Sequence, residues 1–165
     1  MSLNGFDIRI SWFQFREVSQ RPVGVNEDAE ISIEPYLSFR TRNNNGIIEI
    51  IDVNTTISVS RSRSWVRTGC KTDWLLNHEQ GHFDIAVLGM REMYNSLLSL
   101  RRSPTSEFNR ETIRIQTEIQ RKIDEADHLY DTQTNHGLNS AEQIRWSSRI
   151  RTLKGSSAGV LNDLR

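Results

Sequence analysis

The chain has 165 residues, 36% of them hydrophobic and 25% charged, the make-up of one globular domain with a real core. Its 21 basic and 21 acidic residues cancel, which excludes a nucleic-acid or anionic-membrane binder working through bulk charge. Cys70 is the single cysteine, so no internal disulfide and no thiolate zinc knuckle can form, and no apolar run is long enough to be a transmembrane segment.

The first stretch, about 5–68, is predicted to be strand-rich. Ile8, Ile10 and Trp12 alternate with Asp7, Arg9 and Ser11, which predicts a strand. A polar stretch with Pro22 and Gly24 reads as a loop. Ala29 to Phe39 alternates again, and Pro35 inside it points to an edge strand. Asn43-Asn44-Asn45-Gly46 is a turn signal, followed by two short β-branched runs, Ile47–Val53 and Thr56–Val66. The N-terminus shows no basic segment followed by an apolar one, so no signal peptide is visible there.

From about 72 to 153 the pattern turns helical. Thr72 or Asp73 caps a helix predicted to reach about Arg101, with Leu75, His82, Ala86, Met90, Met93 and Leu97 near one face. Ser103-Pro104 breaks it. A second helix is predicted over about Ser106–Leu129, with a narrow stripe through Phe108, Ile115, Ile119 and Ile123. "YDTQTNHGLN" then reads as a loop. Asn139 with Glu142 three residues on is a capping-box start for a third helix. The small, polar tail 155–165 is expected to fray. The whole, 1–165, reads as a single α+β domain.

The chemistry concentrates in "HEQGH". Positions i and i+4 of a helix lie one above the other, so His78 and His82 can present two imidazole nitrogens to one zinc ion. Glu79 then stands beside the metal as general base for a zinc-activated water. Two histidines bordering an apolar stripe face the protein rather than open water, which favours metal over chance. A third protein ligand is needed if a water is to keep the fourth position. His136, beside Gly137 and just before a helix cap, is favoured for it. Asp131 is the main rival, with Asp84 and Glu118 behind. His128 reads as a surface cation near a helix end. Tyr130 is a candidate oxyanion donor, against the plainer reading that it packs at the end of its helix. Asp84 and Asp131 are candidates to accept from the second nitrogen of a ligating imidazole. Ser58–Trp65 is a candidate edge for an extended peptide substrate, although alternating Arg61 and Arg63 fit ordinary edge protection better.

"LLNHEQGHFDIA", "YDTQTNHG", "QIRW", "ISWFQF" and "SRSWVRTG" together resemble a bacterial family of predicted secreted zinc-dependent proteases, catalogued as a domain of unknown function. The resemblance covers most of the chain. It implies a zincin-like fold, a small mixed sheet packed on the metal-bearing helix, and a secreted or periplasmic location. It implies Zn2+ at His78 and His82 with Glu79 as base, and it adds weight to His136. The expected activity is hydrolysis of an extended peptide or protein substrate. Two alternatives share the residues: a zinc amidase on a cell-wall or other non-protein substrate, and a binding module that keeps the metal site without turnover. The small size leaves room for an inhibitory partner outside the chain.

Overall fold

The computed structural model describes residues 2–102, 104–156 and 159–164. It is a mixed α+β fold in which small sheets from the N-terminal half meet three helices from the C-terminal half. Two long strands, β4 (Ile33–Asn44) and β5 (Ile47–Val59), form an antiparallel hairpin. Its tip is the two-residue turn Asn45-Gly46, both with positive φ (52° and 81°), the combination a hairpin of native twist requires. β1 (Ser2–Asn4) adds parallel to β5, and β7 (Arg101–Arg102) adds antiparallel near its start. β4 is the edge of this sheet, and Pro35 sits on it as expected. A smaller sheet has the order β2 (Arg16–Val18), β6 (Trp65–Arg67), β3 (Ala29–Glu30).

Several boundaries differ from expectation. Residues 6–11 form no strand. The segment is held instead by a helix side chain: Gln80 accepts from the Ile10 N–H (2.9 Å) and donates to the Ile8 carbonyl (3.2 Å). Its alternation is real in burial, since Ile10 is buried, but the backbone partner is an amide rather than a neighbouring strand. The two runs expected after the turn are one continuous β5 to Val59, with β6 separate.

Helix α1 (Asp73–Leu98) starts at Thr72, whose side chain accepts from the Leu75 N–H. It packs on β5 on one side and on α2 and α3 on the other, and is buried nearly all round from His78 onward. α2 (Thr105–Thr134) is longer than predicted and runs through "YDTQT". That composition favours loops, but burial of Tyr130 and Thr134 outweighs propensity. Thr132 and Thr134 also donate their hydroxyls back to the His128 and Tyr130 carbonyls rather than competing with the helix. α3 (Ser140–Gly155) starts at Asn139 as expected.

Two apolar clusters join at α1. One fuses Phe83, Val87, Met90 and Leu97 with the sheet and the first half of α2. The other packs Ile85 and Leu88 against Tyr130, Trp146 and Ile150. Leu161 and Leu164 belong to the second cluster and are fully buried, so this part of the expected tail is core; residues 157, 158 and 165 lie outside the described residues. Among the described residues no helix is long and apolar enough to cross a membrane.

Candidate metal centre

Because α2 extends to Thr134, Tyr130 and Asp131 are helical, and Asp127 and Asp131 lie one turn apart on the same face. That face meets the α1 turn carrying His78 and His82. The Nε2 atoms of the two histidines are 3.2 Å apart. Asp131 Oδ1 lies 3.2 Å from His78 Nε2 and 3.1 Å from His82 Nε2. Tetrahedral ligands at about 2.0 Å from one ion stand about 3.3 Å from one another, so all three edges fit.

The outer nitrogens fix the tautomers. His82 Nδ1 is 2.5 Å from the Asp127 carboxylate, which can only accept, so this nitrogen carries a proton. His78 Nδ1 donates to Gln143 Oε1 (2.9 Å), since the Gln143 amide nitrogen is already committed to Tyr130 Oη. Each imidazole therefore turns its Nε2 toward Asp131. That arrangement brings two nitrogen acceptors and a carboxylate oxygen together, and Asp131 Oδ1 is buried with no hydrogen-bond donor among the described residues. Without a metal, a proton on His82 relieves the crowding: enclosure alone would hold its pKa down, but Asp127 and Asp131 raise it well above the usual histidine value. Asp131 is desolvated, yet the two imidazoles pull its pKa below the normal carboxylate range. A donor set of two imidazoles and one carboxylate, each with an outer partner, suits a divalent cation, and this His-His-Asp group can hold a metal ion.

Glu79 is buried beside the triad. Burial raises its pKa; His82 and His78 pull it down, Asp131 pushes it up, and the Ile31 backbone N–H lowers it. Tyr130 is fully buried, its ring stacked on His78 at 4.8 Å and edge-on to His82 at 4.9 Å. Its hydroxyl donates to the His78 carbonyl (3.1 Å) and accepts from Gln143. The Tyr130 hydroxyl is thus spent on holding the His78 turn, a different setting from the solvent-facing one an oxyanion donor needs. Gly81 makes the approach possible: a Cβ there would meet Tyr130 Oη at 2.2 Å.

His136 occupies the rim. It is exposed, with Nδ1 3.4 Å from Asp131 Oδ1 and Nε2 3.4 Å from Glu27. Asn135, His136 and Gly137 all take left-handed φ (48°, 51° and 81°), a run that costs free energy at the two non-glycine positions. The turn is pinned by Trp74 Nε1, which donates to the Gly137 carbonyl at 2.6 Å, and Thr134 Oγ1 accepts from the Gly137 N–H. A Gly137 Cβ would press on His78 at 3.2 Å.

The triad floors a cleft of about 460 Å³. Its far wall is the 25–35 segment, including β3 and the start of β4, and not Ser58–Trp65. The latter segment lies behind that wall: the Ser60 N–H donates to Ser32 O, and Arg63 pairs with Glu34. Arg63 thus ties this segment to β4, and Arg61 lies over the Phe13 ring. Asp84, a sequence candidate for outer partner, pairs instead with Lys154 and Gln80 away from the cleft. Glu118 ion-pairs with Arg114, and His128 is exposed on α2. Asp127 and Gln143 were missed. Asp127 had a readable signal, its four-residue spacing from Asp131; Gln143 had none, because its partner is 65 residues distant.

Residues 51–137, more than half of the chain and including the whole triad, match the family described as "Bacterial protein of unknown function (DUF922)", and the chain belongs to that family. Comparison with curated proteins and with solved structures finds no match.

Proposed function

We propose that this protein is a zinc-dependent peptidase, with His78, His82 and Asp131 as metal ligands and Glu79 as general base. The observation that carries the reading is the convergence of His78 Nε2, His82 Nε2 and Asp131 Oδ1 at 3.1–3.2 Å beside a buried glutamate, at the floor of an open cleft. Three protein ligands leave a position for water, the pattern of catalytic rather than structural zinc. Bound zinc would lower the pKa of that water to about 7 and polarise the substrate carbonyl.

The chain's own residues supply the rest. Glu79 takes the proton of the attacking water and returns it to the leaving amine, so water is split across the amide to give a carboxylate and an amine. Its raised pKa suits both halves of that exchange. Asp127 and Gln143 hold the imidazoles in the tautomer that faces the ion, and Tyr130 fixes the His78 turn from beneath. The 29–35 segment is an edge, with β3 and β4 each terminal in its sheet, so an extended peptide can add to it by main-chain hydrogen bonds. His136 stands where water and substrate enter.

Glu79→Gln is the test. The variant is expected to bind zinc as the wild type does and to lose about 10²–10⁴-fold in cleavage rate on a peptide library. Equal cleavage by both proteins, read by mass spectrometry, would overturn the proposal.

A further inference from the structure

The cleft does not end at the triad. Ala86 and Met90 follow His82 at successive turns of α1, so the floor runs on for roughly 12 Å toward the C-terminus of that helix. Ile123 of α2 and Ile33 of β4 wall this arm, and Asp124 stands exposed beside Ile123 on its rim. In a chain with 21 basic residues, no lysine or arginine among the described residues lines the cleft.

The other carboxylates of the cleft are engaged away from the arm: Glu27 lies 3.4 Å from His136 Nε2, and Glu79 and Asp131 belong to the metal centre. Asp28 is held by Arg21 and Arg67, Asp127 by His82, and Glu30 accepts from the Trp65 indole. Asp124 accepts from the neutral amide of Gln120 at 2.8 Å and, among the described residues, forms no ion pair. An aliphatic trough whose mouth carries a carboxylate with no charged partner among the described residues matches a side chain that is apolar along its stem and cationic at its tip. A purely aliphatic side chain would fill the trough but leave the Asp124 charge unanswered.

We propose that this arm of the cleft is a subsite for a lysine or arginine side chain of an extended peptide, the stem lying on Ala86, Met90, Ile123 and Ile33 and the cation at Asp124. The inference rests on the peptidase reading in taking the ligand to be a peptide; it does not need turnover.

The test uses binding. Fluorescent peptides carrying one lysine, norleucine or glutamate, moved stepwise along a neutral sequence, are titrated by anisotropy against the full-length Glu79→Gln protein loaded with zinc. At one position lysine is expected to bind about five- to tenfold tighter than norleucine, which has the same stem without the charge. Asp124→Asn should collapse that ratio toward one, and Asp124→Lys should turn the preference toward glutamate. Norleucine equal to lysine at every position, or a lysine preference indifferent to Asp124→Asn, overturns the subsite. Cleavage by the wild type is measured in parallel. A surviving lysine preference with no cleavage sinks the hydrolase reading and keeps the subsite; cleavage without the preference does the reverse.

Discussion

Buried and half-buried carboxylates occur at two kinds of place along α1, and they are satisfied in opposite ways. Asp84 and Glu92 each meet a lysine at 2.7 Å, Lys154 from α3 and Lys122 from α2. Asp131, packed against the same helix one or more turns earlier, meets the two imidazole nitrogens of α1 and that of His136 at the rim and, among the described residues, no lysine or arginine. The first two sites carry their cation in the sequence, although one Glu92 oxygen, Oε2, is buried without a hydrogen-bond partner among the described residues. The third is built from acceptors and becomes complete only when a proton or a metal ion arrives. One helix thus shows what a structural ion pair looks like and what a ligand site looks like, within a few turns.

The comparison breaks most sharply under substitution. Lys154→Met strands the Asp84 charge in the interior and is expected to cost about 3–5 kcal/mol in a denaturation titration. It should leave the zinc titration where it was. Asp131→Asn should behave in the opposite sense, with zinc affinity falling by more than the about 10–100-fold expected for Asp127→Asn. His136→Ala should fall below both, as read by competition with a chelating dye. A His136→Ala loss larger than that of Asp131→Asn would make the histidine the third ligand.

Gly81→Ala comes next. The added methyl meets Tyr130 Oη, so overpacking of about 1–3 kcal/mol is expected, together with weaker zinc binding as His78 loses its support. Gly155→Ala, with open space around it, is the control and should do neither.

The smallest effect is a dependence on pH. In the metal-free protein His82 has a raised pKa, so its contribution to stability is full below the unfolded histidine value of about 6.5 and is lost as pH rises through the folded value. Zinc competes with that proton, so the rise in Tm on adding zinc should grow with pH over the same window. Thermal scans of both forms across pH 5 to 9 check it. A zinc effect that shrinks as pH rises would remove the shared position of ion and proton.

Much of this was legible in the chain. The mixed α+β order, the Asn45-Gly46 turn, the edge position of Pro35, the caps at Thr72 and Asn139, and the HExxH turn all follow from local signals that tertiary context did not overrule. The failures share a cause. "YDTQT" is helical because Tyr130 and Thr134 are buried, a fact about packing that composition does not carry. That one boundary decided which residue faces the histidines, since ending α2 at Leu129 turns Asp131 into a loop residue and promotes His136. The segment 6–11 has a strand's alternation without a strand's partner, because Gln80 supplies the hydrogen bonds.

The five residues His78-Glu79-Gln80-Gly81-His82 have a consequence for how this protein can vary. A motif of this kind is written with two free positions. Here Gln80 fastens the N-terminal segment and Gly81 admits Tyr130, so neither position is free. A saturation mutagenesis map should show five adjacent intolerant columns, with the first, second and fifth tracking zinc or turnover directly and the fourth touching zinc only through the support that Tyr130 gives His78. The third and fourth should track folding. A relative that keeps the two histidines and the glutamate but changes the glycine must also have reshaped the residue facing it on α2.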